Sequence, residues 1–239
     1  VFVSMRTDVK GDLYIWDDGD VRRLTDSRTE DVHPTVAPDG KRVLFASGPE
    51  GMSRGEALDL ASGAREPLTD CGSTHPALSP DGRLLAATCF DDDERGQIAI
   101  KDLRTGKVTL VTTPDYHAGF PAFGPDGKRL VFSRFVASPP GAPLSLEAHA
   151  SLWAVEVRRA LAAGSPAAAL ALARPLTSGR TTALYARDTR RGVLFTTERA
   201  GSLDIGLLPR GGPLPRLASP AAQLALALRQ DDPRDRLFA

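Results

Sequence analysis

The sequence is poor in the residues that stabilise metal-bound or disulfide-linked folds, with two cysteines and four histidines among 239 residues. Two cysteines cannot form a disulfide framework or a four-thiolate metal site. No apolar run approaches the roughly 18 residues of a membrane-spanning helix, so no membrane span is expected. Aromatic residues make up only 6% of the chain and the arginines are scattered, a pattern that does not support nucleic-acid binding.

The motifs of the common enzyme classes are missing as well. The sequence contains no Gly-x-Ser-x-Gly nucleophile elbow, phosphate-binding loop, dinucleotide fingerprint, His-Glu-x-x-His zinc motif or calcium-binding loop. Its several Asp-Gly pairs are explained by reverse turns. We therefore expect a protein that is not an enzyme, with no catalytic, cofactor-binding or metal-ligating residue and no cofactor.

The net charge of zero conceals an asymmetry between the two halves of the chain. Residues 1–120 carry 14 basic and 21 acidic side chains, a net charge of −7, and residues 121–239 carry 16 basic and 9 acidic ones, a net charge of +7. If the chain folds into a ring, its acidic half and its basic half lie on opposite sides of that ring. The resulting charge dipole can orient a charged partner.

An internal repeat dominates the sequence. Three segments superimpose: HPTVAPDGKRVLFAS at 33–47, HPALSPDGRLLAATC at 75–89 and FPAFGPDGKRLVFSR at 120–134. Their Pro-Asp-Gly corners begin at Pro38, Pro80 and Pro125. In such a corner proline presets φ, aspartate caps the turn and glycine accepts a positive φ, so the flanking apolar runs form an antiparallel hairpin.

A second hairpin lies between successive corners, for example over 12–26, 56–70 and 97–112. Each period then holds four short strands, A to D, with A before the corner and B after it, which is typical of a β-propeller blade. The predicted fold is an all-β propeller of four-stranded antiparallel blades, with about five repeats in a single domain over 1–239. The predicted units are a partial blade at 1–26, blades at 32–70, 74–113, 119–177 (with insertions) and 181–219, and a partial blade at 220–239.

The blade over 119–177 contains two insertions. One covers 135–150 and is predicted to be a Pro/Ala-rich loop, and the other, near 158–166, could form one helical turn. A chain that begins and stops inside strands suggests an arc of a six-bladed or larger ring. Closure of the two terminal strand groups into a fifth blade is the less favoured alternative.

The run His-Pro-x-x-x-Pro-Asp-Gly, followed by strands such as Asp-Leu-Tyr-x-x-Asp and by Arg-Arg-Leu-Thr-Asp, resembles the TolB-type WD-like β-propeller repeat. This repeat occurs in the TolB C-terminal domain and in propellers of prolyl-oligopeptidase-like proteins. The resemblance is strong for 1–134 and weak for 135–239. It implies a non-catalytic scaffold that binds a protein or peptide, in the periplasm or outside the cell. Two alternatives stay open: the propeller of a larger peptidase whose catalytic domain is absent, and a propeller lyase or hydrolase with a histidine-lined channel.

Strand A is the innermost strand of a propeller blade, so the residues at its start surround one mouth of the central channel. His33 and His75 occupy this position, and His117 lies three residues before the corresponding Phe120. Three imidazoles could bind a metal, although hydrogen bonding between blades is the favoured role. An acidic loop containing Asp91 and Asp92 lies on the same rim. The candidate binding residues at the channel mouth are His33, His75, His117, Phe120, Asp91 and Asp92.

The two cysteines flank one predicted hairpin. Counting around the Asp81-Gly82 turn places Cys89 opposite Thr74, three residues from Cys71. A disulfide then requires the loop to fold back and an oxidising compartment. Two unpaired cysteines are the favoured expectation.

Overall fold

The computed structural model describes residues 1–5, 10–49, 53–135, 150–178, 182–199 and 202–210. Its strands form five antiparallel sheets that follow one another along the chain. Within each sheet the strands are hydrogen-bonded in their sequence order, so each sheet is a simple meander. The predicted all-β propeller is confirmed, and we number the sheets as blades one to five.

Blade one contains β1 (Phe2–Ser4), β2 (Asp12–Asp17) and β3 (Asp20–Arg23). Blade two contains β4 (Glu30–Val36), β5 (Arg42–Gly48), β6 (Arg54–Asp59) and β7 (Arg65–Pro67). Blade three contains β8 (Ser73–Leu78), β9 (Leu84–Phe90), β10 (Gly96–Asp102) and β11 (Val108–Leu110). Blade four contains β12 (Ala118–Phe123), β13 (Arg129–Phe135), β14 (Ala150–Glu156) and β15 (Arg174–Pro175), and blade five contains β16 (Ala183–Asp188), β17 (Gly192–Arg199) and β18 (Ser202–Pro209).

Blades two to four show strands A to D, and blade one shows strands that correspond to B, C and D of the repeat. In blade five the described residues provide A, B and C. The predicted partial blade at 220–239, the end of the predicted blade at 181–219 and most of the insertion at 135–150 lie outside the described residues.

The Pro-Asp-Gly corners form the expected turns. In blade two the N–H of Gly40 donates to the carbonyl of Ala37 at 2.9 Å, and Gly40 has φ +69°. The carboxylate of Asp39 accepts the N–H of Lys41 at 2.9 Å. The corners at Gly82 and Gly127 repeat this arrangement with the same φ of +69°. Each residue of the corner therefore has the role that its chemistry predicts.

The core consists of apolar layers between neighbouring blades. The layer between blades one and two is formed by Leu13, Val43, Phe45 and Leu58, and that between blades two and three includes Leu44, Ala57 and Leu85. The largest layer lies between blades three and four, and a further one joins blades four and five. Because both faces of an inner blade are packed, its B strand is a nearly continuous apolar run.

The insertion between strands C and D of blade four forms two short helices, α1 (Val157–Ala162) and α2 (Pro166–Ala171), where the sequence suggested a single turn. Ser165 caps α2 by accepting the N–H of Ala168 at 3.2 Å. Buried alanines and Val157 attach the helices to the layer between blades three and four. Across the described ranges, no helix has the length and apolarity needed to cross a membrane.

Candidate functional site

The A strands of blades two to five each contain one β-bulge at the same repeat position. In blade two the register shifts between Val32 and Thr35, so that His33 and Pro34 together lie opposite Phe45. The corresponding shifts occur in the other three blades. The first residues of the four bulges, which we call the mouth cluster, are His33, His75, Phe120 and Tyr185.

All four residues of the mouth cluster adopt the left-handed backbone conformation. Their φ angles are +55°, +54°, +59° and +52° in chain order. Bulky residues rarely adopt this conformation, which costs on the order of 1–2 kcal/mol per residue. Side chains of a regular strand alternate between its two faces, which in a blade are packed against the neighbouring blades. The bulge turns one side chain of each A strand out of this alternation.

The four rings of the mouth cluster contact one another across the blades. The rings of His33 and His75 stack with centroids 3.7 Å apart, and His75 meets the edge of Phe120 at 4.4 Å. Phe120 lies 4.4 Å from Tyr185 in a tilted arrangement. These centroid separations are shorter than the roughly 4.5–7 Å that is usual for aromatic pairs, so the four rings are in close contact. The structure thus brings His33, His75 and Phe120 together, and their role in binding stays a prediction.

His75 occupies the centre of the cluster and has an incomplete set of hydrogen bonds. Its Nδ1 lies 2.9 Å from the hydroxyl of Thr74, whereas its buried Nε2 has no hydrogen-bond partner among the described residues. Burial, followed by the proximity of His33, lowers the pKa of His75 to about 2. Burial also lowers the pKa of His33. Both imidazoles are therefore neutral at neutral pH, and Nε2 of His75 is enclosed by the cluster without a described hydrogen-bond partner.

Replacing His75 with phenylalanine is expected to make the protein less sensitive to acid. Because the pKa of His75 is lowered on folding, the unfolded state takes up the proton first, and stability is lost as pH falls below about 6.5. Between about pH 7 and pH 5, His75 should lower the free energy of unfolding of the unchanged protein by about 2 kcal/mol. Phe120 occupies the same repeat position, so phenylalanine fits the bulge. Urea unfolding at both pH values measures the difference, and parallel losses in the two proteins would contradict it.

His117 lies apart from the stacked histidines and contributes to blade packing. Its Nδ1 accepts the N–H of Gly96 at 2.9 Å, and its ring meets the edge of Phe135 at 5.3 Å. Burial lowers the pKa of His117, against a smaller opposite effect of Asp91. Within the described ranges, no group of three or more His, Cys, Asp or Glu side chains is arranged to hold a metal ion. The three histidines therefore do not form the joint set that a metal site would require.

The acidic loop forms a compact hairpin that is partly neutralised by its own arginine. The carboxylate of Asp91 accepts the N–H groups of Asp93 and Arg95 at 3.1 and 2.9 Å, and the guanidinium of Arg95 lies 3.3 Å from Asp91. Asp92 is exposed and makes no hydrogen bond or ion pair with any described residue. Asp92 is thus the freer of the two predicted acidic residues.

Tyr185 belongs to the mouth cluster but was not among the residues chosen from the sequence. The fourth repeat has lost the His-Pro and Pro-Asp-Gly signals. Its corner is also two residues shorter, because Tyr185 and its opposite Phe195 are 10 positions apart, whereas Phe120 and Phe132 are 12 apart. The remaining signal is an aromatic residue shortly before a degenerate corner. Tyr185 is 51% exposed and forms the accessible end of the cluster.

Cys71 and Cys89 form a disulfide, contrary to the favoured expectation of two unpaired thiols. Their Cα atoms are 5.9 Å apart, which is within the usual range for this bond. The expected register was wrong by one residue: Cys89 pairs with Ser73 and not with Thr74. The bulge at His75 adds one residue to β8, and this brings Cys71 one position closer to its partner.

No protein-family model matches the chain. Over 138 residues the chain is 30% identical to an uncharacterized peptidase, YuxL, of Bacillus subtilis. This match covers 55% of this chain and 19% of that protein. Over 136 residues it is 28% identical to a TolB homolog of Chlorobium luteolum, covering 55% of this chain and 30% of that protein. The chain therefore spans less than a third of either curated relative.

The crystal structure of TolB from Acinetobacter baumannii has a similar fold, with a TM-score of 0.63 and 19% sequence identity over 85% of this chain and 48% of that one. Successive meanders of three or four described strands, with apolar cores between them, define the chain as a β-propeller. Within that class, the resemblance of its repeats to the TolB-type WD-like repeat is confirmed.

Proposed function

We propose that this chain is a non-catalytic TolB-like propeller that binds a protein or peptide partner at the mouth cluster. The observation that carries this proposal is the left-handed conformation shared by four bulky residues whose rings meet. Backbone strain of this kind is concentrated at functional sites, and aromatic rings are enriched where proteins bind each other.

The chemistry of the cluster suits a partner that combines apolar and hydrogen-bonding groups. Tyr185 and Phe120 offer ring faces, and the half-exposed Tyr185 also carries a phenol hydroxyl that can hydrogen-bond to a partner. Because burial keeps His75 neutral, the site carries no positive charge of its own there. The acidic loop around Asp92 belongs to the same blade as His75 and favours a partner with basic residues.

The disulfide between Cys71 and Cys89 supports a location in the periplasm or outside the cell. Disulfides persist in oxidising compartments and are rare in reducing ones. The similarity to a TolB homolog is consistent with the same location. A partner of the mouth cluster would then be a periplasmic or secreted protein.

A photo-crosslinking amino acid placed at Tyr185 tests the proposal. The variant is mixed with an extract of the organism that encodes the chain and irradiated, and it should form one dominant adduct. Mass spectrometry then identifies the crosslinked peptide. The matched control carries the crosslinker at Val21, which is 50% exposed on blade one. An adduct pattern at Tyr185 that is identical to the pattern at Val21 would overturn the proposal.

The second candidate function is that of the propeller in a larger peptidase. The 30% identity to the peptidase YuxL favours it, because that match covers 55% of the chain. A Gly-x-Ser-x-Gly elbow encoded downstream in the same reading frame would support this candidate. A reading frame without a hydrolase domain would exclude it.

A further inference from the structure

A groove of about 450 Å³ lies between blades two and three, on the face of blade three that is turned toward blade two. Its wall consists of alternate residues of β9, β10 and β11, which share one face of the sheet: Leu85, Ala87, Ala99, Val108 and Leu110. The segment Thr69-Asp70-Cys71 of blade two crosses one end. We call this feature the inter-blade groove, and its volume is in the range of ligand-binding pockets.

The segment that crosses the groove is held in place by two links to blade three. The disulfide joins Cys71 to Cys89 on β9. The ammonium group of Lys101 on β10 donates to the carbonyl of Leu68 at 3.1 Å and to the carboxylate of Asp70 at 3.2 Å. The groove is therefore a preformed feature, and its shape does not depend on a ligand to order the segment.

The side-chain carboxamide of Gln97 is the polar group in the groove that a ligand could hydrogen-bond. Its side chain lines the groove beside Cys89, the residue with which it is paired across β9 and β10. The residue is only 9% exposed, yet its carboxamide makes no hydrogen bond with any described residue. The carboxamide is not among the fully buried polar atoms without a partner, so water reaches it in the groove. A bound group that pairs with both its N–H and its carbonyl would replace that water.

We propose that the inter-blade groove binds an extended peptide segment with an apolar residue flanked by basic ones. A peptide group offers one donor and one acceptor, which matches the carboxamide of Gln97. The apolar side chain would pack against Val108 and Leu110. The rim is acidic on balance, because the loop that follows β9 carries Asp91, Asp92, Asp93 and Glu94 against Arg95, whereas Asp70 is paired with Lys101. Acidic rims favour basic flanking residues.

This proposal does not depend on the mouth cluster, because the residues that line the two features differ and only the acidic loop is common to both proposals. The inter-blade groove is lined by β9, β10 and β11, whereas the mouth cluster lies on the A strands. Loss of one binding activity should leave the other intact. A Phe120→Ala variant should therefore bind a groove peptide as the unchanged protein does.

A random heptapeptide library displayed on phage, selected on the intact chain without reductant, tests the groove. The library is first depleted on Val108→Lys, which places a cation against the apolar wall at a half-exposed position. Enriched peptides should carry an apolar residue between arginines or lysines. Synthetic peptides of that sequence should bind Val108→Lys and Gln97→Leu about tenfold more weakly or worse. Val21→Lys, at a comparably exposed position of blade one, should bind normally.

Three outcomes would overturn the proposal. The first is an absence of enrichment after depletion on Val108→Lys. The second is equal peptide affinity for the unchanged protein and for Gln97→Leu, which would show that the groove takes any apolar ligand. The third is self-association in sedimentation experiments that Val108→Lys abolishes and Val21→Lys does not. That result would assign the groove to a second copy of the chain.

Discussion

Replacing Arg129 with methionine is expected to lower the free energy of unfolding by about 3 kcal/mol. Arg129 on blade four donates two hydrogen bonds to the carboxylate of Asp188 on blade five, from Nε at 2.7 Å and from Nη2 at 2.6 Å. The Asp188 side chain is fully buried, and Arg210 donates a third bond to it at 2.7 Å. Methionine keeps most of the volume but leaves a buried carboxylate with one cation, and this loss of paired charge destabilises the folded state. Urea-induced unfolding measures the change.

The matched control is Arg42→Met, because Arg42 occupies the same position after the Pro-Asp-Gly corner of blade two. Its partners are more exposed: Glu66 at 3.3 Å and Asp39 at 3.7 Å have side chains that are 58% and 44% exposed. Exposed ion pairs contribute about 0–1 kcal/mol, so a small change is expected. If both variants lose the same stability, the burial of Asp188 is not what makes its ion pair important.

The contrast between Arg42 and Arg129 shows how far the repeat can be interpreted without a structure. The corners and the strand alternation are local properties, because each depends on residues a few positions apart. The fold class and the order of strands were therefore predictable. The partner of a repeated arginine depends on the next blade, which differs from one repeat to another. Nothing in the segment around Arg129 indicates that Asp188, 59 positions away, completes its ion pair.

The mouth cluster was predictable in part for the same reason. His33, His75 and Phe120 share a repeat position, and the innermost location of strand A is enough to bring them together. Their left-handed bulges were not predicted, because the pairing of a hairpin is counted from its corner on the assumption of a regular ladder. Tyr185 was missed because its corner is two residues shorter. His117 precedes β12, and its contact with Gly96 depends on blade packing and not on the repeat.

The bulges also alter which side chains lie on each face of the sheet in the part of the A strand that precedes them. A one-residue shift in register moves a strand's side chains to the opposite face. In blade three the shift at His75 makes Ser73 the partner of Cys89, with Cys71 two positions beyond. Without the bulge the separation would be three positions, and an extended chain would direct Cys71 to the other face. The bulge that places His75 in the mouth cluster thus also makes the disulfide possible.

Removing this disulfide is expected to lower the free energy of unfolding by about 3 kcal/mol, since it closes a loop of 18 residues. The loss arises largely in the unfolded chain, which gains conformational freedom when the link is absent. A Cys71→Ser, Cys89→Ser double variant should therefore unfold at lower urea concentration than the oxidised protein. Treating the unchanged protein with a thiol reductant should reproduce that curve, whereas the double variant should not respond to the reductant.

Thiol titration and peptide binding give two further tests of this bond and of its link to the inter-blade groove. Thiol titration of the native, oxidised protein should find no free cysteine, because the described pair accounts for both. The segment crossing the groove keeps its second link through Lys101, so the folded double variant should still bind a groove peptide, although more weakly. A Lys101→Met variant combined with the cysteine changes removes both links and should bind weakest of all. Equal peptide affinity in all of these proteins would show that neither link shapes the groove. Unchanged urea curves would show that the bond adds no stability, and free thiols in the titration would show that it does not form.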